Sequence, residues 1–132
     1  MPGSSILLNL NSEAFDRCSP LMKVRQRVMD QPSEKLTVAQ AAGIASMHET
    51  HFATYFRNKT NVTFKTWMDA VRVERAMVML RTSDRSITEI AEATGFNDTT
   101  TFSRTFNRLL SQTPSQYRKK SAPFPSDLKR RH

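Results

Sequence analysis

Two short segments of this 132-residue sequence carry the same side-chain chemistry about fifty residues apart. One is SMHETHFATYF, residues 46–56, and the other is GFNDTTTFSRTF, residues 95–106. Each holds two phenylalanines four residues apart among hydroxyl, amide and charged side chains. In a helix this spacing places both rings on one face, so the intervening polar side chains point to solvent or to a ligand. On a basic chain, two copies of such a helix predict a reader of duplex DNA.

The charge of the chain favours a polyanionic partner. The formal net charge is +8, and between Arg104 and His132 eight Lys or Arg stand against one acid, Asp127, so +7 of that charge lies in this segment. DNA phosphates suit such a surface, because each neutralised phosphate releases condensed counterions. The length allows one domain or two very small units, and excludes a large enzyme core with a second lobe.

The cysteine and histidine content argues against catalysis and against a metal site. Cys18 is the only cysteine, which excludes an intrachain disulfide and a cysteine zinc site, and predicts a reducing, cytoplasmic location. His48 and His51 lack a neighbouring Cys or paired acid and are interpreted as exposed or groove-facing. No apolar run approaches the roughly 18 residues that a membrane span needs. We therefore expect no catalytic residue, no cofactor, no metal and no membrane contact.

Helix signals recur along the chain, whereas strand-like alternation does not. Ser19 ahead of Pro20 predicts the N-cap of a first helix that ends near Asp30. Capping boxes at residues 37–40 and 86–89 predict the starts of two further short helices, each followed by a tight turn and a helix with paired phenylalanines. This is the helix-turn-helix plan, in which the second helix enters the major groove.

A longer periodic stretch, from Thr63 to about Arg81, lies between the two copies and carries two apolar stripes in succession. Its roughly nineteen residues would span about 28 Å, close to the ~34 Å between successive major grooves on one face of DNA.

Thr113 and Pro114 predict a last short helix. The predicted fold is all-α with about seven helices, formed by two helix-turn-helix subdomains joined by a long linker helix. Six aromatic residues are expected in the core: Phe52, Phe56, Phe102, Phe106, Trp67 and Tyr117.

The stretches RVERAMVML, SITEIAEATGF, FSRTF and TPSQYR resemble the DNA-binding domain of the AraC/XylS family of bacterial transcription regulators. The resemblance covers roughly residues 21–119. It implies an N-terminal extension over 1–18, a DNA-binding domain over 19–120 and a basic flexible tail over 121–132. Within the domain, the first helix-turn-helix spans about 37–60, the linker helix about 63–81 and the second helix-turn-helix about 86–110. The residues of the second unit at the family's spacing are Ile87, Ile90, Ala91, Gly95, Phe96, Phe102, Arg104, Phe106, Pro114, Tyr117 and Arg118.

The resemblance also implies which residues contact DNA, with recognition roles for residues 49–57, beginning at Glu49, and 97–107, beginning at Asn97. The base-reading positions of the second recognition helix are Thr99, Thr100, Ser103 and Arg104. The matching positions of the first are His48, Thr50, Ala53 and Thr54. Phosphate contacts are expected from Arg57, Lys59, Asn107 and Arg108. Arg can form two hydrogen bonds to guanine, and Thr offers a hydroxyl and a methyl group that can meet thymine.

The chain departs from the family pattern in several places. Many members carry Arg in place of Thr54 and Ser in place of His48, so the first unit either reads fewer bases or reads thymine methyl groups. Glycine usually follows each recognition helix, where this chain has Asn61 and Ser111. Serine tolerates a left-handed backbone less well than asparagine, so the turn after the second helix is expected to differ in shape.

Many relatives also carry a larger effector-binding or dimerisation domain before the DNA-binding domain. Here about twenty residues precede the first predicted helix, so the chain is either a stand-alone regulator or a piece of a longer one. The initial Met and the basic tail favour the stand-alone regulator.

The function predicted from these features is a sequence-specific regulator of transcription that binds double-stranded DNA. The resemblance implies that it binds mainly as a monomer to two adjacent major grooves and activates through contact with RNA polymerase. One alternative is a low-specificity architectural protein that coats or bends DNA through the basic tail. A remote alternative is an enzyme that uses Cys18, as in the DNA-repair methyltransferases that carry a similar domain.

Overall fold

The computed structural model describes residues 12–31 and 35–121, which form eight α-helices and no strand. This confirms the all-α prediction. None of these helices is both long enough and apolar enough to cross a bilayer. The predicted tail beyond Ser121 lies outside the described residues. The helices are α1 (Ser12–Arg17), α2 (Ser19–Asp30), α3 (Val38–Ile44), α4 (Glu49–Thr60), α5 (Phe64–Thr82), α6 (Ile87–Ala93), α7 (Thr99–Leu110) and α8 (Pro114–Lys120).

The additional helix is α1, which lies in the segment interpreted as an N-terminal extension. Its Phe15 is fully buried. The ring stacks on Trp67 with centroids 5.0 Å apart and meets Phe56 edge to face at 5.7 Å. Aromatic pairs at such distances add to the stability gained from apolar burial. The core of the first half of the chain therefore includes a residue that precedes Ser19.

Both capping boxes that begin the short helices are confirmed. At α3 the Gln40 N–H donates to Thr37 Oγ1 at 3.1 Å, and the Thr37 N–H donates to Gln40 Oε1 at 2.9 Å. Ser86 and Glu89 repeat this exchange at α6. Each box satisfies two backbone donors that a helix start would otherwise leave without partners. These bonds determine where each helix-turn-helix begins.

The start of α2 differs from the prediction by one residue. Cys18, not Ser19, is the N-cap, with an extended backbone at φ −108° and ψ 105°, and its side chain makes no capping hydrogen bond. Pro20 lies in the first turn, where a missing backbone N–H leaves no helical hydrogen bond unmade. The helix ends at Asp30, as predicted.

The chain divides within α5 into two compact units, one reaching Val71 and the other starting at Arg72. In the first unit, α1 to α4 and the beginning of α5 enclose a core built on aromatic rings, to which α2 adds Leu21, Val24 and Val28. In the second unit, the buried residues lie on the rest of α5 and on α6 to α8. They include Val73, Ala76, Leu80, Ile90, Ala91, Phe96, Phe102 and Phe106.

Candidate nucleic-acid interface

The first helix-turn-helix consists of α3, a four-residue connection and α4. The Met47 N–H donates to the Ala42 carbonyl at 2.8 Å, and the Ser46 N–H donates to the Gly43 carbonyl at 3.0 Å. This pair of bonds is the Schellman motif, which requires a left-handed residue after the helix. Ser46 supplies it at φ 60°. Serine in this conformation is strained, because its Cβ approaches the following carbonyl oxygen.

The second helix-turn-helix, α6 to α7, closes with the same two bonds. The Phe96 N–H donates to the Ala91 carbonyl at 3.0 Å, and the Gly95 N–H donates to the Glu92 carbonyl at 3.1 Å. Here the left-handed residue is Gly95, at φ 94°, which has no Cβ to strain. One extra residue, Asn97, lengthens this connection relative to the first. The sequence spacing carries the same difference, since Phe52 stands ten positions after Ala42 and Phe102 eleven positions after Ala91.

The paired phenylalanines fix the orientation of both recognition helices. Phe52 and Phe56 of α4 are fully buried, as are Phe102 and Phe106 of α7. The burial predicted for these four residues is confirmed. Because the rings of each pair face the core, the opposite side of each helix is turned to solvent. Trp67 is also buried, at 1% exposure, whereas Tyr117 is half-buried.

The predicted DNA-contacting residues of α4 and its N-cap are all exposed. Those of α7 and the residues before it are exposed too, apart from Thr99 and Ser103, which are half-buried. The exposed residues are His48, Glu49, Thr50, Ala53, Thr54, Arg57, Lys59, Asn97, Thr100, Arg104, Asn107 and Arg108. Each unit therefore presents a mainly polar helix face that a major groove is wide enough to admit.

The N-termini of the two recognition helices are capped differently. His48 caps α4 without a side-chain hydrogen bond. Asp98 caps α7, and its carboxylate accepts a hydrogen bond from the Thr101 N–H at 2.7 Å. That bond, together with a smaller contribution from the charge of Arg104, lowers the pKa of Asp98. Since the folded state depresses this pKa, the cap stabilises the fold above the ordinary pKa of Asp and loses its effect as the pH falls through the depressed value.

One hydrogen bond joins the two helices of the second unit near the proposed readout face. Thr99 Oγ1 donates to Thr88 Oγ1 across 3.2 Å, from the first turn of α7 to the first turn of α6. It ties a predicted base-reading residue to the supporting helix. The sequence did not indicate this pair, because Thr88 is not among the residues that stand at the family's spacing.

The turns after the two recognition helices have the same shape, contrary to expectation. Asn61 follows α4 at φ 68° and Ser111 follows α7 at φ 60°, both left-handed. In each case the N–H of the turn residue donates to a carbonyl four residues back, at 2.8 Å in Arg57 and 2.7 Å in Asn107. The bond stabilises the conformation of Ser111 although its side chain disfavours it. The predicted difference was therefore wrong.

Arg118 has a structural position that its charge alone does not reveal. Its Nε donates to the Leu80 carbonyl at 3.2 Å and its Nη2 donates to the Ser83 carbonyl at 3.1 Å. Beside it, Arg81 Nη1 donates to Tyr117 Oη at 2.8 Å. Carbonyls at a helix C-terminus lack intrahelical partners and carry partial negative charge. Arg81 of α5 and Arg118 of α8 thus hold α8 against the C-terminal end of α5.

The chain is similar in sequence to known helix-turn-helix proteins. The profile of a family described as "Helix-turn-helix domain" matches residues 41–120. An HTH-type transcriptional regulator of Staphylococcus aureus is 33% identical over 85 residues, which are 64% of this chain and 11% of that protein. The Msm operon regulatory protein of Streptococcus mutans is 29% identical over 97 residues, 74% of this chain and 35% of that protein. The chain thus spans only a minor part of these relatives.

Solved structures show the same fold. The DNA-binding domain of AdpA, a global transcriptional factor in complex with a target DNA, is 28% identical with a TM-score of 0.72, covering 86% of this chain and 97% of that one. An AraC-type regulator from Chromobacterium violaceum is 21% identical with a TM-score of 0.74, covering 80% and 95%. The relatives and the fold are those of transcription regulators rather than enzymes, so the Cys18-dependent alternative is set aside. The chain belongs to the AraC/XylS family of helix-turn-helix DNA-binding regulators.

Proposed function

We propose that the chain is a sequence-specific regulator of transcription whose α4 and α7 read two adjacent major grooves of double-stranded DNA. The observation that carries this proposal is the exposed polar face of α7, with Arg104 opposite the buried Phe102 and Phe106. The AdpA domain, which has the same fold, is in complex with a target DNA.

Base readout in the second unit is assigned to Thr99, Thr100, Ser103 and Arg104. Arg104 carries most of the specificity, because a guanidinium can form two parallel hydrogen bonds to guanine. In the first unit the corresponding side chains, Ala53 and Thr54, are short. They favour contact with thymine methyl groups over hydrogen-bonded readout, and His48, Glu49 and Thr50 lie at the start of the same helix.

The charged and amide groups toward the ends of the two helices are assigned to the sugar–phosphate backbone. These are Arg57, Lys59, Asn107 and Arg108, with Asn97 before α7. Such contacts orient a protein on DNA and carry no sequence information. The continuous helix α5, 19 residues long, is the element that we propose sets the separation of the two recognition helices.

The proposed regulator binds as a monomer to an asymmetric site, and activates by contacting RNA polymerase. Its DNA-binding domain comprises residues 19–120 together with α1, because Phe15 belongs to the core of the first unit. Residues 121–132 are the proposed basic tail, which adds affinity without sequence preference.

The decisive experiment selects bound sites from random DNA and maps them by footprinting at single-base resolution. Two protected patches one helical turn apart on the same side of the duplex are expected. Arg104→Ala should lose about 1–3 kcal/mol at one base pair, whereas Arg108→Ala should weaken binding to all sequences alike. Equal losses on specific and random duplexes for both variants would contradict the assignment.

The same measurements discriminate the architectural alternative. A protein that coats or bends DNA through its tail would lose all binding when Lys129 to His132 are removed. It would also keep its base preference unchanged in Arg104→Ala. Sequence-specific regulation predicts the reverse pattern, in which the shortened chain keeps its preference at reduced affinity.

A further inference from the structure

A pocket of about 380 Å³ lies beside the recognition helix of the first unit. It is formed where α4 meets the start of α5 and the start of α3. Val38, Ala53 and Phe64 line it with apolar surface, and Thr54, Arg57 and Lys65 add polar or charged groups. Ala53, Thr54 and Arg57 also belong to the proposed DNA-binding face, so the pocket borders that face.

Lys65 is held beside this pocket by an acidic residue of its own helix. Its Nζ lies 3.1 Å from Asp69 Oδ2, one helical turn further along α5. The Asp69 side chain is 8% exposed, whereas that of Lys65 is 81% exposed. The buried carboxylate therefore orients an ammonium group that remains accessible to a ligand.

Comparison of the two units shows that their positive charges are placed differently. At the site of Arg104 in α7, the first unit has Thr54, which carries no charge. At the site of Lys65, about fifty residues further on, the second unit has Ser115 in α8. The first unit thus has no cation at the position of Arg104, but it has Lys65 on the following helix, at a position where the second unit has no cation. Because the side chains of Ala53 and Thr54 are short, the pocket that they line stays open.

We infer that this pocket receives the sugar–phosphate backbone of DNA, with Lys65 as a phosphate contact of the first unit. An ammonium is a compact charge suited to a phosphate oxygen. The apolar surface of Ala53 and Phe64 is suited to the carbon face of a deoxyribose. Arg57 lies at the same pocket and can meet a phosphate on the same strand. The inference rests on the proposed function and adds to it a contact that lies outside the recognition helix.

The test compares Lys65→Gln with Lys23→Gln, an exposed lysine of α2 that does not line the pocket. The probes are a duplex selected from random DNA by the wild-type chain and a random duplex of the same length. Loss of one phosphate contact should make the negative slope of log affinity against log salt shallower by about 0.9 on both duplexes. It should also lower the affinity about fivefold at roughly 0.15 M salt. Lys65→Arg, which keeps the charge, should restore the slope.

Ethylation of single phosphates in the selected duplex gives a second readout. Wild type should be hindered by ethylation at a phosphate beside the first-unit half of the site, and Lys65→Gln should be insensitive to ethylation at that position. Circular dichroism establishes that the variant is folded, as expected for a largely exposed side chain.

The outcomes separate the inference from the function on which it rests. If Lys65→Gln keeps the wild-type slope and ethylation pattern while Arg104→Ala loses base preference, the phosphate contact is refuted and the regulator proposal stands. An equal loss in Lys23→Gln would refute it too. If the wild type itself fails to prefer the selected duplex, the proposed function is overturned.

Discussion

The two units differ in the side chains that follow their recognition helices and pack against the rest of each unit. The first unit has Trp67 and Met68, both buried, about fifty residues before Tyr117 and Arg118, which are half-buried. Trp67 stacks on Phe15. Tyr117 accepts a hydrogen bond from Arg81, and Arg118 donates to two backbone carbonyls.

This difference follows from what each pair packs against. Trp67 and Met68 lie on the long helix α5, where an apolar core surrounds them. Tyr117 and Arg118 lie on the seven-residue helix α8, beside the C-terminal end of α5, whose carbonyls need donors. One backbone plan is thus stabilised by apolar burial in one unit and by charge-assisted hydrogen bonds in the other.

The largest expected effect is the loss of unfolding free energy when a central phenylalanine of either unit is truncated, which compares the two aromatic cores. The Phe56 ring has four aromatic neighbours, Phe15, Phe52, Phe64 and Trp67, at 5.5 to 5.9 Å. Phe106 has two, Phe102 and Tyr117, both at 5.7 Å. Truncation to Ala should cost about 3–5 kcal/mol at either site, with Phe56→Ala at the upper end.

Urea denaturation of both variants measures these losses. Since the two phenylalanines are equally buried, a greater loss in Phe106→Ala would show that the number of ring neighbours does not set the difference.

The polar closure of the second unit is tested by Arg118→Ala. The change removes two charge-assisted hydrogen bonds to Leu80 and Ser83 and should cost about 1.5–3 kcal/mol in the free energy of unfolding. Lys119→Ala, at the exposed neighbouring residue, should stay within about 0.5 kcal/mol of wild type. Denaturant titration distinguishes them. Equal stability of the two variants would mean that the bonds of Arg118 do not hold α8 in place.

The smallest expected effect concerns the turns. Ser46→Gly should stabilise the chain by about 0.5–1 kcal/mol, because glycine removes the strain at φ 60°, and Gly95→Ser should destabilise it by about as much. Thermal denaturation followed by circular dichroism gives both shifts. Shifts of the same sign for the two changes would contradict the equivalence of the turns. Absence of any stabilisation in Ser46→Gly would show that serine is not strained at this position.

Much of the fold was predictable because its signals are local. The capping boxes at residues 37–40 and 86–89 join groups three residues apart, and paired phenylalanines reveal a helical period within a single turn. The extra residue in the second connection also follows from spacing alone. The exposed face of α7, including Arg104, is then the face that the rings leave free.

Other features escaped prediction because their causes lie far apart along the chain. Phe15 carries no periodic signal on the six-residue helix α1, and only the ring of Trp67 explains its burial. In the sequence, Arg118 is one of several basic residues near the C-terminus. Its structural role depends on the carbonyl of Leu80, 38 positions earlier, to which it donates a hydrogen bond. The left-handed conformation of Ser46 belongs to a hydrogen-bond pattern that usually has glycine at this position. Serine gives no such signal in the sequence.

The amino-acid order thus dictates where helices start, which faces they bury and that two similar helices with paired phenylalanines exist, since these depend on neighbours within one or two turns. Packing in three dimensions decides which side chains complete each core, which cations bond to backbone carbonyls and which remain exposed. Lys65 illustrates this division. Its charge is evident from its type, but its accessible position beside the pocket depends on Asp69 being buried and on α4 lying next to α5.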